Sequence, residues 1–342
     1  MHRIAIVGAG MIAEYHRGAV EANAAHGAEL AAMVHHDPAQ FARIEAAFGA
    51  PCRLLDDVLA DPTIGIVTLC TPSGQHAFQA QACVEAGKHV LVEKPMALSL
   101  TSADALIEAA EARGVRLAVA LQRRVDPLFR RIKQAIDAGD LGALTLAAVT
   151  LPYFRGQAYY DQAAWRGTWA LDGGGVLMNQ GIHIVDLLVW FMGDPVSIQA
   201  EARTLHRDIE VEDVASAILR FENGALATLA ATTTAGAGFP HRLEIYGTNG
   251  GIQVEGEGVV RWSLADPASA RVEPPDLSSG ASMSTSAGAG GDPRAITTAG
   301  HTAILADLIA AIEEGRNPHI DGREGRRSLA VILGIYEAAG LI

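Results

Sequence analysis

The chain has 342 residues, 49% of them apolar and 19% charged, which suits two ordinary cores and excludes a disordered or fibrous protein. With 26 basic against 39 acidic residues the net charge is −13, which argues against nucleic acid or an acidic membrane as partner but leaves room for a local basic pocket for an anionic ligand. Three scattered cysteines, Cys52, Cys70 and Cys83, show no CxxC spacing and fit a reducing cytoplasm rather than a disulfide or metal framework.

"RIAIVG" reads as a buried strand, followed by a helix over 11–25 and a second strand, "AELAAMVH". "PAQFARIEAAFG" is a helix opened by Pro38 and closed by Gly49. Strands at "GIVTLC" (65–70), "KHVLVEKP" (88–95) and "VRLAVAL" (115–121) alternate with helices at 74–86 and 99–113. Such Val/Ile/Leu-rich strands between helices predict a parallel sheet covered on both faces. After residue 121 the pattern changes: a helix at 127–138 and the strand "LTLAAVTLPYF" lead to a glycine-led helix at 175–192. Strands at 196–206, 213–221, 225–234, 241–247 and 251–256 follow, with hairpin signals at "ENG" and "GTNGG", so this part reads as an antiparallel meander in an α+β domain. Residues 276–300, rich in Gly, Ser, Ala and Thr, read as a mobile loop that could cover the site, and helices at 301–314 and 323–339 follow. No apolar run reaches the roughly 18 residues of a membrane helix, and the opening lacks the apolar region of a secretory leader, so the expected setting is cytoplasmic. The expected domains are residues 1–121, a doubly wound α/β Rossmann domain, and residues 122–342, an α+β domain whose terminal helices can pack back on the first.

"VGAGMIA" follows a strand and opens a helix, as a dinucleotide fingerprint requires. Gly8 makes the tight turn, Gly10 lets the backbone approach a pyrophosphate at the helix N-terminus, and Ala13 takes the third glycine's place. Ala9, Met11 and Ile12 share that turn as candidate cofactor contacts; the plain alternative is a glycine-rich turn. The second strand ends at His35, with His36 next and Asp37 one further on. No carboxylate clearly faces the ribose 2′ position and no arginine adjoins it, which leaves NAD and NADP both open, and loop histidines without a role are the alternative. In "LCTPSGQH", Thr71 and Pro72 run along the cofactor, and His76 either caps a helix or lies near the nicotinamide. "VLVEKP" ends a buried strand in Glu93 and Lys94. A lysine on the carboxyl edge of a parallel sheet is a natural proton donor, and Glu93 can orient the ribose or the lysine. Gln122, opening "QRRVDP", is a further candidate cofactor contact.

"GGGVLMNQGIHIVD" (173–186) places Asn179, His183 and Asp186 four and three residues apart. In an α-helix Asn179 and His183 share a face, with Met178, Ile182 and Val185 turned toward a core. Together with "GAGMIA", "TPSGQH", "VEKP", "QRRVDP", "WRGTW" and "GREGRRSLAVILGIYEAA", this stretch resembles the Gfo/Idh/MocA oxidoreductases over nearly the whole chain and in the right order. The resemblance implies an N-terminal Rossmann domain, a C-terminal domain with an open-faced, mostly antiparallel sheet, and a homodimer or homotetramer. It also implies NAD(P)-dependent oxidation or reduction of a sugar, sugar derivative or cyclitol. Lys94 then matches the proton-relay lysine, and His183 the histidine that contacts the reacting hydroxyl. Trp165 and Arg166 match a segment near nicotinamide and substrate. Asn179 stands where many members have Asp; an amide cannot act as a base, so Asn179 hydrogen-bonds substrate or holds its neighbours. A subset of the family that acts on nucleotide-linked or glycosidic sugars is similar in having Asn at this place, and that resemblance implies such sugars rather than free inositol. Asp186 is expected to hydrogen-bond within its own helix neighbourhood, and the three glycines to let the chain pass beneath the cofactor. No metal is expected. Two readings of other classes stay open: a glycoside hydrolase that uses bound NAD transiently, and a non-enzymatic dinucleotide-sensing regulator.

Overall fold

The computed structural model describes residues 1–275, 277 and 297–342. The loop expected at 276–300 therefore lies mostly outside the described residues. Two compact units emerge, one of residues 1–122 and 297–329, the other of the described residues within 123–296 together with 330–342.

The first unit alternates strand and helix: β1 (His2–Val7), α1 (Met11–Ala22), β2 (Ala28–Val34), α2 (Phe41–Phe48), β3 (Cys52–Arg53), α3 (Leu55–Ala60), β4 (Ile66–Leu69), α4 (Ser73–Glu85), β5 (His89–Val92), α5 (Leu100–Arg113) and β6 (Leu117–Val119). All six strands run parallel in the order β3-β2-β1-β4-β5-β6. The chain reverses direction across the sheet between β1 and β4, the switch point at which such sheets open a crevice for ligands. The strands are buried throughout their central residues, as their uninterrupted apolar runs require. Helix ends follow local chemistry: Ser99 caps α5 by accepting from the Ser102 amide, and Gly114 closes it in the left-handed region at φ 67°. The short β3 and α3 were not expected from sequence, because two residues of strand and six of helix give no period to read.

The second unit holds α6 (Pro127–Asp137), β7 (Leu144–Pro152), α7 (Gln157–Tyr160), a π-helical turn (Val176–Gly181) and α8 (Ile182–Met192). After these come β8 (Pro195–Arg203), β9 (Val214–Phe221), β10 (Leu226–Thr232), β11 (Arg242–Gly247), β12 (Gly250–Glu255) and β13 (Gly258–Leu264). They form one seven-stranded sheet in the order β13-β12-β11-β7-β10-β9-β8. It is not the simple meander that the hairpins suggested: β7 sits at the centre and pairs parallel with β10, while every other pair is antiparallel. The edge strand β13 adds to the expected set. Strict alternation, clearest in β9 and β10, buries one face and leaves the other open, where Leu146, Ile218 and Leu226 are exposed. The buried face receives α8 and the π turn.

Two helices complete the described chain, α9 (Ala299–Glu314) and α10 (Gly322–Ala338). α9 belongs to the first unit and packs on α1, with Thr298 so close to Gly18 that an added Cβ there would lie 3.1 Å from it. The first turns of α10 belong to the first unit and residues from Ala330 on to the second.

Candidate active site

In the first unit the dinucleotide turn is built by two glycines with different tasks. Gly8 ends β1 at φ +99°, and a Cβ there would meet the Cys70 carbonyl oxygen, at the end of β4, at 2.9 Å. Only glycine takes that conformation and that approach cheaply. Gly10 has an ordinary extended backbone (φ −81°, ψ −174°), and a Cβ there would meet no atom within 4 Å. No side chain caps α1, so its first-turn amides suit an anion, and Gly10 keeps the approach to them clear. Ala9 and Ile12 pack against the core, Ala13 is fully buried, and Met11 is exposed. A dinucleotide pyrophosphate therefore fits this turn.

β2 ends at Val34, and His35 and His36 follow with their rings 4.5 Å apart. The Asp37 carboxylate accepts from the Ala39 amide at 2.9 Å and the Asp37 amide donates to His35 Nδ1 at 3.1 Å, so this acid works as a local cap.

The Glu93-Lys94-Pro95 segment follows β5. From Val90 to Ala97 every residue is buried except Lys94. Glu93 Oε1 accepts from His16 Nε2 and from His301 Nε2, each at 2.9 Å. His76 is 1% exposed, and its two ring nitrogens meet main-chain oxygens of Pro95 and Thr71, both at 2.8 Å. His76 therefore sits between the Thr71-Pro72 turn and the lysine turn, within hydrogen-bond distance of a main-chain oxygen of each. Burial pushes its ring below the ordinary histidine value against the pull of those two carbonyls. Thr71 Oγ1 donates to Gln79 Oε1 at 2.6 Å. Gln122 packs against Gly300, where a Cβ would lie 2.5 Å from the glutamine's own, and its amide oxygen is buried without a partner.

In the second unit the glycine-led segment is not one α-helix. Val176–Gly181 forms a π turn before α8 starts at Ile182. Its cause lies at Glu212, a fully buried carboxyl whose Oε2 accepts from the Gly175 amide at 2.7 Å and whose Oε1 accepts from the Leu177 amide at 2.9 Å and from the Tyr336 hydroxyl at 2.8 Å. Burial pushes this carboxyl up to about 7 against those three donors. The glycines answer to the same packing. A Cβ on Gly175 would fall 1.7 Å from the Glu212 carbonyl oxygen, and one on Gly174 would fall 2.3 Å from the Tyr336 hydroxyl. Gly174 and Gly175 admit Tyr336 and Glu212.

Between Asp172 and Val189, Asn179 and His183 alone are not buried, so both share the accessible side despite the changed helix type. Asn179 Nδ2 donates to Asp172 Oδ1 at 2.6 Å, and Asp172 Oδ2 accepts from the Gly167 amide at 2.9 Å. Asp172 was missed from sequence, although it stands directly before the glycines. Asp186, expected to hydrogen-bond within its helix neighbourhood, forms a buried two-point ion pair with Arg124, at 2.7 and 2.8 Å, and that guanidinium also lies over Trp190. Arg166 lies over two rings, its carbon centre 4.2 Å from the centroid of Tyr159 and 4.6 Å from that of Trp165, and it donates to the Tyr159 hydroxyl. Arg207 lies over Phe154 and donates to the Arg155 carbonyl. Among the described residues neither Arg166 nor Arg207 forms an ion pair.

Residues 2–121 match the oxidoreductase family with an NAD-binding Rossmann fold, and residues 129–253 match the GFO/IDH/MocA C-terminal domain. The chain belongs to the Gfo/Idh/MocA oxidoreductase family. Inositol 2-dehydrogenase from Rhizobium meliloti is 30% identical, over 77% of this chain and 78% of its own. Inositol 2-dehydrogenase 2 from Saccharopolyspora erythraea is 31% identical, over 73% and 72%. The crystal structure of the WlbA dehydrogenase from Bordetella pertussis, in complex with NADH and UDP-GlcNAcA, is 34% identical with a TM-score of 0.86, covering 99% of this chain and 96% of that one.

Proposed function

We propose that this member is an NAD(P)-dependent dehydrogenase of a secondary alcohol on an anionic, nucleotide-linked sugar. Arg166 carries the anionic part of the reading. Two aromatic rings lie against its guanidinium, and no carboxylate of the described residues pairs with it, in a protein of net charge −13. A charge kept in that way suits a phosphate or carboxylate of the substrate. The WlbA complex with a nucleotide-linked sugar acid supports the same class. Asn179 supports it too: its bond to Asp172 fixes the amide, which can then hold a sugar oxygen but cannot take a proton.

The dinucleotide, seated by Gly8, Ala9, Gly10, Met11 and Ile12 with Thr71, Pro72 and Gln122 nearby in the chain's first unit, supplies the hydride exchange. Lys94 takes the proton of the reacting hydroxyl in oxidation and returns it in reduction, and His183 hydrogen-bonds that hydroxyl. Lys94 has the accessibility for this, since it is the one residue of its segment that is not buried. We further infer a cytoplasmic homodimer or homotetramer that binds no nucleic acid. Three buried free cysteines support the compartment and the exposed Leu146, Ile218 and Leu226 on the open face of the sheet support the pairing of copies, and no helix among the described residues is long and apolar enough to cross a membrane.

The test compares a UDP-linked sugar acid with free inositol, using NAD and NADP, in the wild type and in Arg166→Met. Losing one charge-assisted contact of about 1.5–3 kcal/mol raises KM for the sugar acid by about 10- to 100-fold and leaves any inositol turnover nearly unchanged. A higher kcat/KM for inositol than for the sugar acid in the wild type overturns the proposal.

A further inference from the structure

We propose that His16 and His301 are positioning residues: together they clamp the Glu93 carboxylate and so fix the turn that presents Lys94. The three side chains come from α1, α9 and the end of β5, yet both imidazole Nε2 atoms converge on one oxygen, Glu93 Oε1, at 2.9 Å each. All are buried, at 1% exposure for His16, 0% for His301 and 7% for Glu93. The second oxygen, Oε2, accepts from the Lys94 main-chain amide at 3.3 Å. On the far side of the lysine, His76 holds the Pro95 carbonyl at 2.8 Å. Histidines therefore grip the turn both before and after the one residue in it that is not buried.

A carboxylate in so dry a place needs strong partners. Burial drives the Glu93 carboxyl up, but hydrogen bonds from His16 and His301 outweigh it and hold the group well below its ordinary value. Burial likewise lowers the His16 ring, which stays neutral. The Glu93 carboxylate is thus held on one oxygen by two imidazole N–H donors.

The same three groups have the makings of a metal site, since their ligand atoms lie within 4.8 Å of one another. The tautomers argue against it. A metal would take the Nε2 lone pairs and move each proton to Nδ1, and a ligating histidine donates that proton to an acceptor. Both Nδ1 atoms are buried with no hydrogen-bond partner. As Nε2–H donors the rings leave only a lone pair unmet, and the carboxylate gains both its bonds.

The kinetic arm of the test rests on Lys94 as the group that handles the proton; the spectroscopic arm does not. In His301→Leu, kcat falls about 10- to 100-fold, the cost of a slightly misplaced reacting group, while KM for cofactor and substrate changes less than about threefold. His301→Gln, whose amide N–H can reach the same oxygen, restores kcat to within about threefold of wild type; a purely structural role would show neither the split nor the rescue. In the apo protein labelled with ¹⁵N-histidine, His16 and His301 appear as Nε2–H tautomers with slow proton exchange. If His301→Leu does not fold, the Gln variant and the spectrum decide. Wild-type kcat in a folded His301→Leu, protons on Nδ1, or one Zn²⁺ bound per wild-type chain with the spectrum shifted at both rings each overturn the proposal.

Discussion

Replacing Gly10 by alanine separates folding from cofactor binding. At φ −81° and ψ −174° the backbone suits any residue, and the new methyl would meet no protein atom within 4 Å. The apo protein should lose no stability, and a gain of about 0.4–1 kcal/mol is expected from the stiffer unfolded chain. The methyl nevertheless stands over the uncapped first turn of α1, where the pyrophosphate must come close. Forcing a methyl into such a contact costs about 1–3 kcal/mol, and at 1.4 kcal/mol per tenfold this weakens NAD(H) binding by about 5- to 140-fold. Gly8→Ala provides the contrast: at φ +99° and 2.9 Å from the Cys70 oxygen it should destabilise the apo protein itself. The assay is a thermal melt by far-UV circular dichroism without cofactor, followed by titration with NADH fluorescence. Wild-type affinity in Gly10→Ala, or a loss of more than about 1 kcal/mol in its apo stability, would refute the reasoning.

Other outcomes can be read in the second unit alone, because all four tryptophans lie there and report its unfolding by fluorescence. Asp186→Asn strands the buried Arg124 and should cost about 3–5 kcal/mol, whereas pairing Asp186→Leu with Arg124→Met recovers most of it; a loss below about 1 kcal/mol in the single variant counts against the pair. Glu212 gives a pH signature. Its carboxyl titrates near 4.5 when unfolded and about 7 when folded, so in that window the folded state keeps a proton that the unfolded state releases. Its contribution to stability is therefore full below 4.5 and is lost as the pH rises through about 7. At 1.36 kcal/mol per pH unit the full loss is about 3 kcal/mol, and Glu212→Gln should flatten the stability–pH curve by about 2 kcal/mol between pH 5 and 7; parallel curves for the two proteins would count against it.

Much of this was readable in the chain because it is local. Apolar runs gave the six-stranded parallel sheet apart from the two-residue β3. Spacing placed Asn179 and His183 on one side of the segment, and across the π turn both stay only partly buried. What sequence hid depends on partners far along the chain. The π turn follows from Glu212, more than thirty residues later, and Asp186 finds its partner 62 residues upstream. Nothing in "TAGHTA" marks His301 as a partner of Glu93, 208 residues away. Asp172 also changes what an acid at 179 would mean: two carboxyls 2.6 Å apart would share a proton, so the amide here spares the site that repulsion.

The most direct test of the account is a single-turnover experiment with NAD⁺ and a UDP-linked sugar acid, following nicotinamide absorbance in wild type and Lys94→Ala. The wild type should form NADH, and the variant should slow by about 10²–10⁴-fold with cofactor affinity changed less than about threefold. NADH formed by Lys94→Ala at the wild-type rate, or no NADH formed by the wild type, would contradict it.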